Sequence, residues 1–413
     1  MREKMKDKKI IVIFLIIAIL TFTSISIYKN LFRKKDKDIG EIQIEQEINE
    51  PKSDEENMEQ EPKNTYIKMT VIGDIMCHNS QYKDAYNSTT GTYDFSYVFS
   101  DIKQYINSAD ISIGNLETTF AGKEKGYSNY PRFNTPEQLA KNLKDCGIDV
   151  LSTANNHCMD TNYAGLVSTL KYLDEAEIAH TGTSETEEQQ NKILVKNSNG
   201  IKIAFLSFTY GTNGIPVPKD KSFAVNLIDE ELILKQIKLA KQEEPDLICV
   251  SMHWGIEYQN KQNSEQEKLA DFLFNNGVDI ILGSHPHVLQ PMERRTIKLE
   301  DGTVKNCFVI YSLGNFMSGQ TKENTRSSVI LNIDILKNEK DKKTVLTKVE
   351  YVPIYMYKMP TGISQRYKVL DIKKAITNYE SGQDMSIGQQ TYTMLQKELG
   401  KIKATMGEDI TFE

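Results

Sequence analysis

Apolar positions along residues 65–357 switch repeatedly between alternation and three-and-four spacing, which predicts strands and helices in succession. Residues 66–72 alternate and then run apolar into Gly73 and Asp74, a strand that delivers an acid at its carboxyl end. Residues 95–107 are amphipathic at helical spacing, and 110–113 form a short strand ending in Gly114, Asn115, Leu116 and Glu117. Thr135, Pro136 and Glu137 supply an N-cap, a first-turn proline and an early acid for a helix to Cys146, and Gly147 stops it. A strand over 149–152 runs into Thr153, Ala154, Asn155, Asn156 and His157, followed by a helix over 162–176. Segments 178–181, 193–195 and 201–208 read as strands. A helix over 229–242 precedes a strand over 247–252 that ends at His253, Trp254 and Gly255. A helix over 266–276 hands over to the apolar strand 278–282. After it, 305–313 is a strand ending in Gly314, Asn315 and Phe316, and 328–336 with 344–357 read as an antiparallel pair. The last fifty residues hold one or two helices.

Five of these strands end in residues able to bind a metal: Asp74, Glu117, Asn156 with His157, His253, and His285 with His287. In sheets of this kind, sites gather outside the carboxyl ends of the strands. His285 and His287 flank Pro286, which fixes its own φ and biases His285 away from helix. An extended, stiff segment is therefore expected, with both rings on one face. By itself the segment reads equally as a surface loop that contains two histidines. Five of the six histidines lie in strand-end loops, His78 among them, and only His180 stands apart as a partly buried structural residue. Carboxylate, amide and imidazole donors together suit two divalent ions of the manganese, zinc or iron kind. Two ions can stabilise the attacking and leaving oxygens of a displacement. Glu117 is the expected bridging carboxylate.

Composition changes this picture mainly at the N-terminus. The formal charge of −7 and a pI near 5.6 disfavour a general nucleic-acid binder. Residues 1–35 carry nine Lys or Arg against two acids, and residues 36–64 carry eleven acids against three Lys. Between the charges, residues 10–28 are uncharged and rich in Ile and Leu, enough helix to span roughly 28 Å. A single-pass signal anchor is expected there, without a cleavage site of small residues or a cysteine for lipid attachment. Five basic residues on each side leave the orientation open by charge, and the signal-like position places the large C-terminal part outside the cell. The expected organisation is a cytoplasmic basic tail (1–9), the anchor (10–28), a basic then acidic flexible linker (29–64), a main domain (65–335), and C-terminal strand and helices packed on that domain (336–413). Five cysteines without a Cys-x-x-Cys pair form neither a disulfide framework nor a zinc ribbon. Cys146, Cys249 and Cys307 read as core residues, and Cys77 and Cys158 as packing beside the candidate ligands.

The ordered motifs Gly73-Asp74-Ile75-Met76, Gly114-Asn115-Leu116-Glu117, Ala154-Asn155-Asn156-His157, His253-Trp254-Gly255-Ile256-Glu257-Tyr258, Gly283-Ser284-His285-Pro286-His287 and Tyr311-Ser312-Leu313-Gly314-Asn315-Phe316 resemble the bacterial capsule-synthesis proteins of the CapA type. Those proteins serve poly-γ-glutamate biosynthesis and look like a divergent branch of the calcineurin-like metallophosphoesterases. The resemblance implies an α/β (α+β) fold, a four-layer αββα sandwich preceded by one N-terminal transmembrane helix, with an extracytoplasmic domain. It implies Asp74, Glu117, Asn156, His253, His285 and His287 as metal ligands and His157 as the catalytic acid or oxyanion holder. This chain departs from the pattern twice. The family's Asp-x-His becomes Asp74 followed only distantly by His78, an uncertain ligand or a solvent-facing loop residue, and Glu117 stands where a Gly-Asp motif is usual. Arg132, in Tyr130-Pro131-Arg132-Phe133, suits a carboxylate or phosphate but is nearly as well read as a plain surface residue. Asn115, Glu257 and Tyr258 are expected to line the substrate pocket, Asn315 to support a ligand by hydrogen bonding, and Trp254 to line the pocket or pack under the sheet. Two functions fit. One is a dinuclear hydrolase or transferase acting on a phosphoester or γ-glutamyl polymer. The other is a non-catalytic factor that binds anionic polymer for a membrane synthase and export complex.

Overall fold

Period-two alternation in the strands sorts their side chains onto two faces, and that sorting builds the molecule. The structure is a computed structural model and describes residues 63–298, 302, 304–360 and 365–412. In chain order its strands are β1 (Thr65–Met76), β2 (Tyr86–Asn87), β3 (Thr92–Tyr93), β4 (Ile111–Leu116), β5 (Val150–Ser152), β6 (Ala179–Thr181), β7 (Leu194–Ser198), β8 (Ile201–Thr209), β9 (Leu247–His253), β10 (Ile280–Ser284), β11 (Leu289–Lys298), β12 (Val304–Leu313), β13 (Asn315–Ser318), β14 (Ser327–Lys337), β15 (Thr344–Lys358), β16 (Tyr367–Asp371) and β17 (Ile410–Thr411). One sheet has the order β16-β15-β14-β1-β4-β5-β6, with β13 beside β1 and β17 beside β15; the other runs β11-β12-β10-β9-β8-β7.

Ile67, Met69 and Val71 of β1, Ile203 and Phe205 of β8, Phe308 and Ile310 of β12, and Val329, Leu331 and Ile333 of β14 fill the space between the sheets. The alternate residues point outward. Ile72 and Leu116 pack with Leu139, Leu143 and Leu173 of the helices Gln138–Cys146 and Asn162–Glu175. Leu206, Val250 and Val309 pack with Ile233, Ile237, Leu273 and Phe274 of Glu230–Gln242 and Ser264–Asn275. The result is a mixed α/β fold in four layers, helix, sheet, sheet, helix.

β14 runs past position 335 to Lys337. The helices Ile372–Glu380 and Gly388–Met406 send Ile372, Ile376, Leu395, Ile402 and Met406 into the inter-sheet core. Two predicted helices start or run differently. Over 95–107 the buried positions keep helical spacing, but the backbone breaks into a 3-10 turn, Ser96–Phe99, and a short helix, Lys103–Asn107. At the break the Ser100 hydroxyl donates to the Tyr97 carbonyl, a local bond that competes with the helix. Thr135 does not cap its helix, which begins at Gln138. Its hydroxyl pairs instead with that of Thr118 at 2.7 Å, and its amide donates to Thr119 O. The segment expected to cross a membrane lies outside the described residues, and among the described residues no helix is long and apolar enough to do so.

Candidate metal centre

β1, β4, β5, β9 and β10 lie in parallel register with the partners they share, so their carboxyl ends converge. β1 is irregular where it carries Asp74: its pairing shifts between Asp74 and Ile75 against β13, and between Val71 and Asp74 against β4. Such irregularities re-aim a side chain at a sheet rim. Two glycines make this close packing possible. A Cβ on Gly73 would lie 1.9 Å from Gly314 O, and one on Gly283 would lie 1.9 Å from Tyr311 O. Each stands within two residues of a candidate ligand, Asp74 or His285.

The backbone at His285 and His287 is not extended. Both residues adopt left-handed conformations, with φ of 96° and 59°. Tertiary contacts override the local preference of the His-Pro-His segment: the Pro286 carbonyl accepts from Tyr258 N at 2.8 Å, and the His285 amide points to Asp74 Oδ2 at 3.4 Å. Non-glycine residues held at positive φ store strain, and they cluster at functional sites.

Two groups of side chains result, with ligand atoms within 4.8 Å of one another in each: Asp74, Glu117 and His287, and Glu117, His253 and His285. Glu117 belongs to both. Its Oε1 lies 3.5 Å from His253 Nε2 and 3.6 Å from His287 Nε2. His287 Nδ1 lies 3.1 Å from Asp74 Oδ2, while His253 Nε2 lies 2.9 Å from Asn156 Oδ1 and its Nδ1 2.9 Å from Ser284 Oγ. The Asn115 amide donates to Asp74 Oδ1 at 2.8 Å, and its carbonyl accepts from Ser152 Oγ at 3.0 Å.

Burial sets the electrostatics. It pushes the Glu117 carboxyl up to about 8, and it pushes His253 down to about 3 and His285 to about 2, leaving both imidazoles neutral. His287 goes the other way. Burial opposes its charge, but the Glu117 and Asp74 carboxylates override that and raise it to about 9. Burial would likewise raise Asp74, yet His287 and His253 hold it below the usual carboxylate value. Glu117 and His287 thus favour their protonated forms, while His253 and His285 favour their neutral ones.

Glu117 Oε1 and His285 Nδ1 are buried without a hydrogen-bond partner. A buried acceptor left unmet costs about 1–3 kcal/mol, and more if charged. Orphaned oxygen and nitrogen atoms among three imidazoles and two carboxylates fit divalent cations with mixed N and O preference. The sequence-expected ligands Asp74, Glu117, Asn156, His253, His285 and His287 are therefore brought together.

His157 sits beside them, buried, with Nδ1 2.7 Å from Asp160 Oδ2. The same carboxylate oxygen accepts from Phe133 N at 2.6 Å, and the Phe133 ring meets His157 edge-on. Asp160 thereby holds the ring at Nδ1, and the Asn213 amide lies 3.5 Å from both ring nitrogens. Asp160 was visible only as a carboxylate three residues beyond His157. Tyr210, with its ring 4.6 Å from that of His285, and Ser284 behind His253 carried no signal in the sequence.

Other expected residues stand elsewhere. His78 joins neither group: its Nδ1 lies 3.0 Å from Gly319 N and 3.1 Å from Met76 O, and its ring packs on Phe133. Asn115 is buried, and its amide donates to Asp74 Oδ1. Asn315 supports the His287 carbonyl and Thr325 O rather than a ligand side chain. Arg132 is exposed and makes no side-chain hydrogen bond or ion pair among the described residues. Tyr258 lies on the rim near His287, with the Lys322 ammonium 3.6 Å over its ring. Glu257 is half-buried and lies with His285 and His287 in a third close group. Trp254 is a packing residue, its Nε1 donating to Tyr311 O. His180 pairs with Asp174 in β6. All five cysteines are buried and free.

The sequence model of the family described as "Bacterial capsule synthesis protein PGA_cap" matches residues 68–320, which carry every residue of both groups. This chain belongs to the bacterial capsule synthesis protein family. Within that family it is 32% identical over 285 residues to the capsule biosynthesis protein CapA of Bacillus anthracis, covering 67% of this chain and 65% of that one. It is 31% identical over 275 residues to the PGA biosynthesis protein CapA of Bacillus subtilis (strain 168), covering 66% and 68%. Among solved structures, this capsule synthesis protein is similar to the calcineurin-like phosphoesterase YfkN from Bacillus subtilis, with a TM-score of 0.42 and 14% identity over 81% of this chain and 100% of that one. A phosphatase from Mycoplasma pneumoniae gives 0.40 and 15%, covering 71% and 95%.

Proposed function

We propose that this protein is a dinuclear, metal-dependent hydrolase or transferase of capsule or poly-γ-glutamate biosynthesis, anchored in the membrane by residues 10–28 with its large domain outside the cell. The observation that carries the reading is Glu117: one buried carboxylate, with an orphaned oxygen, shared by two ligand groups. Two divalent ions bound there would supply Lewis acidity to a phosphoryl or acyl oxygen. Asp74 and His287 would hold one ion, Asn156, His253 and His285 the other, and Glu117 both. His157 delivers a proton to the leaving group from Nε2, because Asp160 holds Nδ1 and stabilises the charged ring. The Phe133 ring shields the dyad from water. Exposed Arg132 and Lys322 offer positive charge to an anionic phosphoester or γ-glutamyl chain arriving at the rim.

The capsule and PGA biosynthesis names of the CapA relatives support this reading. The test is turnover of a chromogenic phosphodiester and of γ-glutamyl oligomers by the metal-loaded protein and by His157→Ala. Loss of turnover by about 10²-fold or more with unchanged metal content is the expected result. Undiminished polymer output from cells carrying His157→Ala would instead assign the protein a polymer-binding role in a synthase or export complex.

A further inference from the structure

The six expected ligands leave the two groups unequal. The Glu117, His253 and His285 group gains a fourth donor, since Asn156 Oδ1 lies 2.9 Å from His253 Nε2. The Asp74, Glu117 and His287 group gains none from β1. His78 is too far along the chain from Asp74 to reproduce an Asp-x-His pair, and its ring is turned toward Gly319 and Phe133.

A carboxylate approaches from the opposite side. Ligand atoms of Glu257, His285 and His287 lie within 4.8 Å of one another. Glu257 is in the loop that leaves β9 after His253, between Gly255 at φ 83° and Tyr258 at φ 69°. The Tyr258 amide donates to Pro286 O at 2.8 Å, which ties this loop to the turn carrying both histidines. The backbone around Glu257 is therefore tied to the turn of His285 and His287.

Its chemistry argues against a substrate contact. A free carboxylate at the mouth of a site for phosphoesters or glutamyl chains would repel them, and like charges facing one another oppose binding. Bound to a cation, the same charge is taken up.

We infer that Glu257 is a seventh protein ligand of the metal centre, reaching it beside His285 and His287, where His78 does not. The inference rests on the two-ion reading above. It replaces the expected substrate-binding role of Glu257 with a metal-binding one.

The test is titration of the ion-free protein with Zn²⁺ against a chromophoric chelator, in wild type, Glu257→Gln and Glu257→Asp. One of the two ions should weaken by at least about tenfold in Glu257→Gln, the scale on which even indirect supports of a metal ligand act. The loss should be smaller in Glu257→Asp, which keeps the charge one methylene short, and the other ion should be unaffected. The visible spectrum of the Co²⁺ form should change between wild type and Glu257→Gln, because a lost ligand alters coordination. Glu257 is half-buried, so ion-free melting temperatures should match and separate ligand loss from unfolding; should Glu257→Gln not fold, Glu257→Asp carries the comparison. Wild-type affinity for both ions in both variants, with unchanged Co²⁺ spectra, overturns the inference and leaves the two-ion reading standing. No Zn²⁺ uptake by wild type overturns both.

Discussion

The two halves of the centre are built from the same residue types yet are held differently. On the His253 side the imidazole is met at both nitrogens, by Ser284 at Nδ1 and Asn156 at Nε2, and the ring of Tyr210 lies beside that of His285. On the Asp74 side the carboxylate takes the Asn115 amide and a charged contact with His287, whose carbonyl accepts from Asn315. Supporting bonds fix ring orientation and tautomer. The comparison teaches that the His253 half is organised before any ion arrives, whereas the Asp74 half holds protons that an ion must displace.

The largest effect expected from breaking this arrangement is at the residue common to both halves. Glu117→Gln should abolish uptake of both ions, read by elemental analysis, because its carboxylate oxygen lies between His253 and His287. A change confined to one ion would show that the halves do not share it.

Next in size is Asp160→Asn. With the Nδ1 partner altered, the tautomer of His157 is no longer fixed, and turnover should fall by about 10²-fold with both ions retained. A shifted pH profile should accompany the loss, and an unchanged profile would make Asp160 merely structural.

A smaller, one-sided effect is expected from Ser284→Ala. It should weaken one ion by about tenfold and leave the other alone, because only His253 leans on that hydroxyl. Equal weakening of both ions would erase the distinction between the halves.

The smallest effect is on stability against pH in the absence of metal. His253 and His285 have folded values near 3 and 2, below the usual imidazole value, so their contribution is present above about 6.5 and is lost as pH falls below it. Glu117 and His287 are raised to about 8 and about 9, so theirs is present at low pH and is lost as pH rises through those values. Chemical denaturation of the ion-free protein should therefore show a maximum around pH 6–7, with decline on both sides. Saturating Zn²⁺ should remove the alkaline decline, because the ion takes the place of the protons.

Much of the fold was legible because period-two alternation in β1, β8, β12 and β14 is strict and assigns each side chain to a layer. The candidate ligands were legible because they sit at the carboxyl ends of β1, β4, β5, β9 and β10. What was hidden depends on contacts between distant segments. The positive φ of His285 and His287 is imposed by Tyr258 and Asp74, and a local preference of Pro286 pointed the other way. The bond from Asn115 to Asp74 was hidden too, since the two lie 41 residues apart and only the parallel pairing of β1 and β4 brings them together. Tyr210 reaches the site from the loop after β8, in a stretch without any metal-binding pattern.

The claim on which the rest depends is that two ions sit side by side on Glu117. Loading the ion-free protein with Mn²⁺ and recording its electron paramagnetic resonance spectrum tests this directly. Two bound ions per chain with an exchange-coupled spectrum, collapsing in Glu117→Gln, is the predicted result. A simple six-line spectrum from one isolated ion, or no bound Mn²⁺ and no bound Zn²⁺ at all, would contradict it.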